Sequence, residues 1–134
     1  MEDFFARTVF FVKDAERSLA FYTEQLGFTL DWNHQDDGRA HVFQVSLFGF
    51  SLILNQVHPA IEAKAGKGRV FLGLDDDQVA ALRRHCAERQ VELSVTRWGA
   101  PTLALYDLDG NEIYAFMPRG EWPEWEAKLE QPAA

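Results

Sequence analysis

The stretch RTVFFVKDAERSLAFYTEQLGFTL, Arg7 to Leu30, decides how the chain folds. Thr8 to Val12 form an apolar run that reads as a strand, and Asp14 after it can accept hydrogen bonds from the free amides of a helix start. Ala15, Leu19, Tyr22 and Leu26 then recur at spacings of four, three and four, which places them on one helical stripe, and Gly27 stops the helix. Phe28 and Leu30 begin another strand. The plan returns in RVFLGLDDDQVAALRRHCAERQVEL, Arg69 to Leu93: Val70 to Leu74 as strand, Asp75 or Asp76 as cap, Val79, Leu82 and Cys86 as stripe, and Val91 and Leu93 re-entering a strand.

Two more apolar strands follow each unit. They run from His41 to Phe48 and Phe50 to Gln56 around Gly49, and from Thr102 to Asp107 and Glu112 to Met117 around LDGN. The order β-α-β-β-β therefore occurs twice, an α+β plan with one module over about residues 6–56, a linker over 57–67, a second module over 68–118 and a tail over 119–134. Two copies suit a pseudo-symmetric single domain better than an array, and 134 residues can bury a core unaided. In the tail, a short helix is expected to begin at Pro123.

Composition narrows the partners. The formal charge of −8 argues against nucleic acid, whose binding draws on a surplus of Lys and Arg. No apolar run is long enough to span a bilayer, and MEDFFARTVFF lacks the basic flank and cleavage pattern of a secretory signal. The single cysteine, Cys86, has no intrachain partner, and a cytoplasmic home is expected.

FYTEQLGF at the end of the first helix and LYDLDGNEIYAF leading into the last strand, set in a doubled βαβββ plan, resemble the vicinal oxygen chelate superfamily of glyoxalases, extradiol dioxygenases, fosfomycin resistance enzymes and bleomycin resistance proteins. The resemblance runs from about Arg7 to Met117. It implies that each module curls its sheet into half of a cup, helices outside, with the ligand in the concavity. It makes DLDGN a hairpin turn, with positive φ at Gly110 or Asn111 and the Asp side chains serving local amides. A calcium loop would need more oxygens and a closing bidentate Glu.

Metal-dependent members of the superfamily place His, Glu or Gln on the first and fourth strands of each module. The matching positions here are Arg7, Arg69, Ile53 and Tyr114, and a guanidinium has no lone pair to offer a cation. The expectation is no metal, no cofactor and no catalytic residue. Among the four histidines, His85 is expected on the outer face of the second helix, His58 in the linker and His34 in the HQDDGR turn. His41, with Glu112, would be a displaced metal site under the alternative reading.

Alternation along the strands puts Arg7 and Phe11 in the cup, with Arg69 and Phe71 from the second module, Tyr114 and Phe116 from the last strand, and Phe43 from the third. Trp32 and Trp98 are expected at the rims. Trp98-Gly99, a strand and D-x-x-G-N together resemble the bleomycin resistance proteins, which stack a Trp at this place against the drug. Trp122 and Trp125 read as anchors for the tail. The arginines would pair with Asp31, Asp36, Asp37 or Glu112, or else meet an anionic ligand. The leading expectation is a metal-free homodimer that sequesters an aromatic or amphipathic small molecule, such as an antibiotic, through Arg7, Phe11, Trp32, Phe43, Ile53, Arg69, Phe71, Trp98 and Tyr114. Its alternatives are a divalent-metal lyase, isomerase or dioxygenase, and a non-catalytic interaction subunit.

Overall fold

A computed structural model describes residues 5–36 and 39–130. Asp37, one of the candidate arginine partners, lies outside the described residues. Strand β1 (Thr8–Val12) leads into α1 (Ala15–Ala20), capped by the Asp14 side chain on the Arg17 amide. The helix does not simply run on to Gly27. It widens into a π-helical turn over Phe21–Gln25, closed by the Leu26 amide on the Phe21 carbonyl, before β2 (Thr29–Asp36). Strands β3 (Arg39–Leu47) and β4 (Phe50–Gln56) complete the first unit, and a 3₁₀ helix (Pro59–Lys64) crosses to the second.

The second unit comprises β5 (Arg69–Phe71), α2 (Asp76–Glu88), β6 (Ser94–Trp98), β7 (Ala100–Tyr106) and β8 (Glu112–Phe116). Of the two candidate caps before α2, Asp75 serves, in a reciprocal box with Gln78. Both sheets have one topology, β1-β4-β3-β2 and β5-β8-β7-β6, with the first pair parallel and the others antiparallel. The repeated βαβββ plan is thus present as two four-stranded mixed sheets. Among the described residues no helix is long and apolar enough to cross a membrane.

A single apolar core joins the modules. Phe10, Val12, Phe43, Val45, Leu52 and Leu54 from the first sheet meet Tyr22, Leu26, Val79, Leu82 and Cys86 from the helical segments and Leu103, Leu105 and Ile113 from the second sheet. His85, expected on an outer face, instead packs its ring against Gly27 with Nε2 buried and unpaired among the described residues. The tail forms α3 (Trp122–Leu129). Trp122 donates to the Met117 carbonyl at 2.6 Å, and Arg83–Glu121 and Arg97–Glu126 ion pairs tie this helix region to α2 and β6.

The DLDGN turn does more than close a hairpin. Asp107 accepts the Asp109 and Asn111 amides on one oxygen, as expected of such a turn, but its other oxygen takes the Tyr22 hydroxyl and the Asn111 amide, both at 2.9 Å. Asn111, fully buried, also accepts from the Gly68 amide at 2.9 Å and donates to the Phe11 carbonyl at 3.1 Å. One side chain therefore holds β1 against the approach to β5. Glycine is required in that approach: a Cβ at Gly68 would stand 2.6 Å from the Phe10 ring, and Gly66, at φ +77°, would drive one to 1.9 Å from the Asp109 carbonyl.

Candidate functional site

Each sheet has one face on the shared core and one turned away from it. In the first sheet the ladder aligns Val9, Ile53, Gln44 and Trp32 across the four strands, so these side chains share the open face, with Arg7 and Phe11 on either side of Val9 along β1. Arg7 and Phe11 thus lie on the face where alternation placed them, and Ile53, taken from the family's ligand position, and Trp32, expected at a rim, share that face. Phe43 does not. It pairs with Leu54, which pairs with Phe10, and it is 4% exposed within the core. Alternation tells which residues of one strand share a face, but carrying that assignment across to β3 needs a register that Phe43's neighbours do not reveal.

The open face of the first sheet is polar at its centre. Arg7 donates to Gln44 at 3.3 Å, Gln44 donates to Asp31 at 2.9 Å, and Ser46 donates to the same Asp31 carboxylate. These bonds, from Ser46 first and Gln44 next, hold the Asp31 carboxyl below its ordinary pKa. Asp31 sits at a ladder irregularity between Leu30 and Trp32, which brings it towards Gln44.

The second sheet's open face is aromatic. Phe71 lies 4.7 Å from Phe116 and 5.6 Å from Trp98, and Trp98 lies 5.4 Å from Tyr114, centroid to centroid. Arg69 covers Tyr114, its guanidinium carbon 4.4 Å from that ring, while its nitrogens hold Glu112 at 2.8 and 2.9 Å. Tyr114 donates to the same carboxylate at 3.1 Å. Desolvation, and after it this bond, raises the Tyr114 pKa. Tyr114 is only 5% exposed, so it forms the floor, whereas Phe71 and Trp98, at 38% and 41%, present the accessible surface. Arg69, Phe71, Trp98 and Tyr114 are brought together.

The displaced metal site is not assembled. His41 is in the first sheet and Glu112 in the second, where Arg69 and Tyr114 occupy its carboxylate. His34 lies within β2 rather than in a turn, and with His41 and His58 it lines a separate hollow of about 400 Å³. Among the described residues no three His, Cys, Asp or Glu side chains converge as metal ligands would. Sequence reasoning named Asp31 among the arginine partners but missed Gln44, which joins it to Arg7, and missed the lysines of the 57–67 segment, whose placement depends on how that segment crosses β1.

The family described as the Glyoxalase/Bleomycin resistance protein/Dioxygenase superfamily matches residues 5–114. Among solved structures, TnmS3, an antibiotic binding protein from Streptomyces sp. CB03234, is 27% identical, with a TM-score of 0.61 over 88% of this chain and 99% of that one. A glyoxalase/bleomycin resistance protein from the same organism is 28% identical, with a TM-score of 0.60 over 84% of this chain and 100% of that one. Lactoylglutathione lyase from Agrobacterium tumefaciens, at 16% identity and a TM-score of 0.60 over 85% and 92% of the two chains, shares the fold. A search of curated proteins returned no match.

Proposed function

The chain belongs to the glyoxalase/bleomycin resistance protein/dioxygenase superfamily, and we propose that within it this protein is a metal-free binder that sequesters an aromatic or amphipathic small molecule. The observation that carries the reading is the aromatic surface of Phe71, Trp98 and Phe116 over Tyr114, with Arg69 already neutralised by Glu112. Such a surface offers stacking area to a flat ring and little that would react with it. The antibiotic binding relative supports the same reading.

A divalent ion does not fit the positions where metal-dependent relatives keep their ligands. Arg7 and Arg69 are cationic there, Ile53 is aliphatic, and the Tyr114 hydroxyl is engaged with Glu112 under the Arg69 guanidinium.

The open faces leave Val9, Trp32, Phe71, Trp98 and Phe116 about two-fifths exposed. Apolar surface of that kind marks an interaction site, and a homodimer that shields part of it completes the proposal. Sedimentation would then give twice the chain mass.

Calorimetric or fluorescence titration with planar neutral, cationic and anionic compounds tests the binding reading. Trp98→Ala is expected to weaken any ligand found by about ten-fold, from the loss of one stacking partner. Binding that survives both Trp98→Ala and Phe71→Ala unchanged, or that disappears on adding a chelator, would overturn it.

A further inference from the structure

We propose that the ligand is an aromatic anion and that its charge is read in a groove along β1, a refinement resting on the small-molecule reading above. The groove, about 390 Å³, is lined by Val9 and Phe11 from β1 and by Ala63, Lys64, Lys67 and Gly68 from the crossing between modules. Its floor is apolar and its rim carries two ammonium groups. No acid lines it, although the chain has 21 acidic residues against 13 basic ones.

The cations around the open faces differ in how far they are satisfied. Arg69 is held by Glu112, and Arg7 is joined through Gln44 to Asp31. Among the described residues, neither Lys64 nor Lys67 has an ion-pair partner. Glu62, the nearest acid in sequence, lines a different hollow with Lys13, Val57, His58 and Pro59. The Lys64 ammonium stands over the Phe11 ring, 5.8 Å from its centroid.

A flat ring laid over Val9 and Phe11 places a carboxylate or phenolate at its edge within reach of both lysines. A neutral ring gains the same apolar contact and leaves the ammonium groups as they were. A cationic ring meets two like charges. The groove ends at Gly68, the residue before Arg69 in the chain.

The test compares 2-naphthoate, 2-naphthamide and 2-naphthylmethylammonium by calorimetry on the full chain at low ionic strength, with wild type and Lys64→Gln/Lys67→Gln. The expected result is a preference of about ten-fold for the carboxylate over the amide, as two charges several ångströms away in a water-like medium would give. The preference should fade in half-molar salt and fall to within about two-fold in the double variant. Equal binding of all three probes overturns the charge inference while leaving the small-molecule reading standing. A preference that persists in the double variant moves anion recognition out of this groove and overturns the proposal too. Failure of all three to bind also overturns it, and the wider titration panel then decides the underlying reading separately.

Discussion

Replacing Asn111 by Ala removes a side chain that bonds to both modules, and the cost can be worked bond by bond. Three hydrogen bonds go: to the Gly68 amide, the Phe11 carbonyl and the Asp107 carboxylate. The Phe11 carbonyl keeps the Gly66 amide at 3.1 Å, and Asp107 keeps Tyr22 and two backbone amides. The Gly68 amide keeps no other partner among the described residues. Two neutral bonds at about 1 kcal/mol each, with a charge-assisted bond and an orphaned donor at about 1–2 kcal/mol each, give a loss on the order of 4 kcal/mol. That is a large part of the 5–15 kcal/mol typical of a domain. Tyr22→Phe removes one charge-assisted bond from the same carboxylate and should cost about 2 kcal/mol. The two losses should combine non-additively, because both side chains meet Asp107. Urea unfolding followed by tryptophan fluorescence measures both, with a midpoint shift of about 2 M for Asn111→Ala at a slope of ~2 kcal/mol per M. An Asn111→Ala loss below about 1 kcal/mol, or one smaller than that of Tyr22→Phe, would refute the clamp.

The two phenylalanines misread as equivalent separate cleanly: Phe43→Ala should cost about 3–5 kcal/mol as a core cavity, whereas Phe71→Ala should change the unfolding midpoint little and instead weaken ligand binding in a titration. Phe48 holds φ +53° ahead of Gly49 at the β3–β4 turn, a region that costs a bulky residue about 1–2 kcal/mol and suits Asn-Gly, so Phe48→Asn should raise Tm by a few degrees in calorimetry. Burial raises the Cys86 thiol to about 11 and, with Asp107 beside it, lifts Tyr22 well above its ordinary value. Both groups stay neutral in the fold while the unfolded chain ionises. Their stabilising contribution is therefore complete below about pH 9 and lost as pH rises through the folded values. Unfolding midpoints should fall from pH 9 to 11, and less steeply in Cys86→Ala.

Strands, helices and their caps could be read locally, because apolar spacing, Asp14 and Gly27 act within a few residues of themselves. The repeat made the βαβββ plan legible, and with it the first-strand and last-strand residues of the open faces, since β1 and β8 each keep a simple alternation. Two features were not legible. The π-helical turn hides in a sequence whose spacing suits an ordinary helix. The DDD run offers adjacent caps of equal chemistry, and the structure selects Asp75 through its reciprocal bonds with Gln78.

Identity and order of residues determined the secondary structure, the doubling and the residues at the family's ligand positions, because these depend on short-range sterics and side-chain chemistry. Tertiary structure alone decided that Phe43 faces inward, that His85 packs between helical segments, that Asn111 joins the modules, and that Lys64 and Lys67 overlook Phe11. Each of these depends on the relative register of segments far apart in the chain, where a shift of one residue reverses a face.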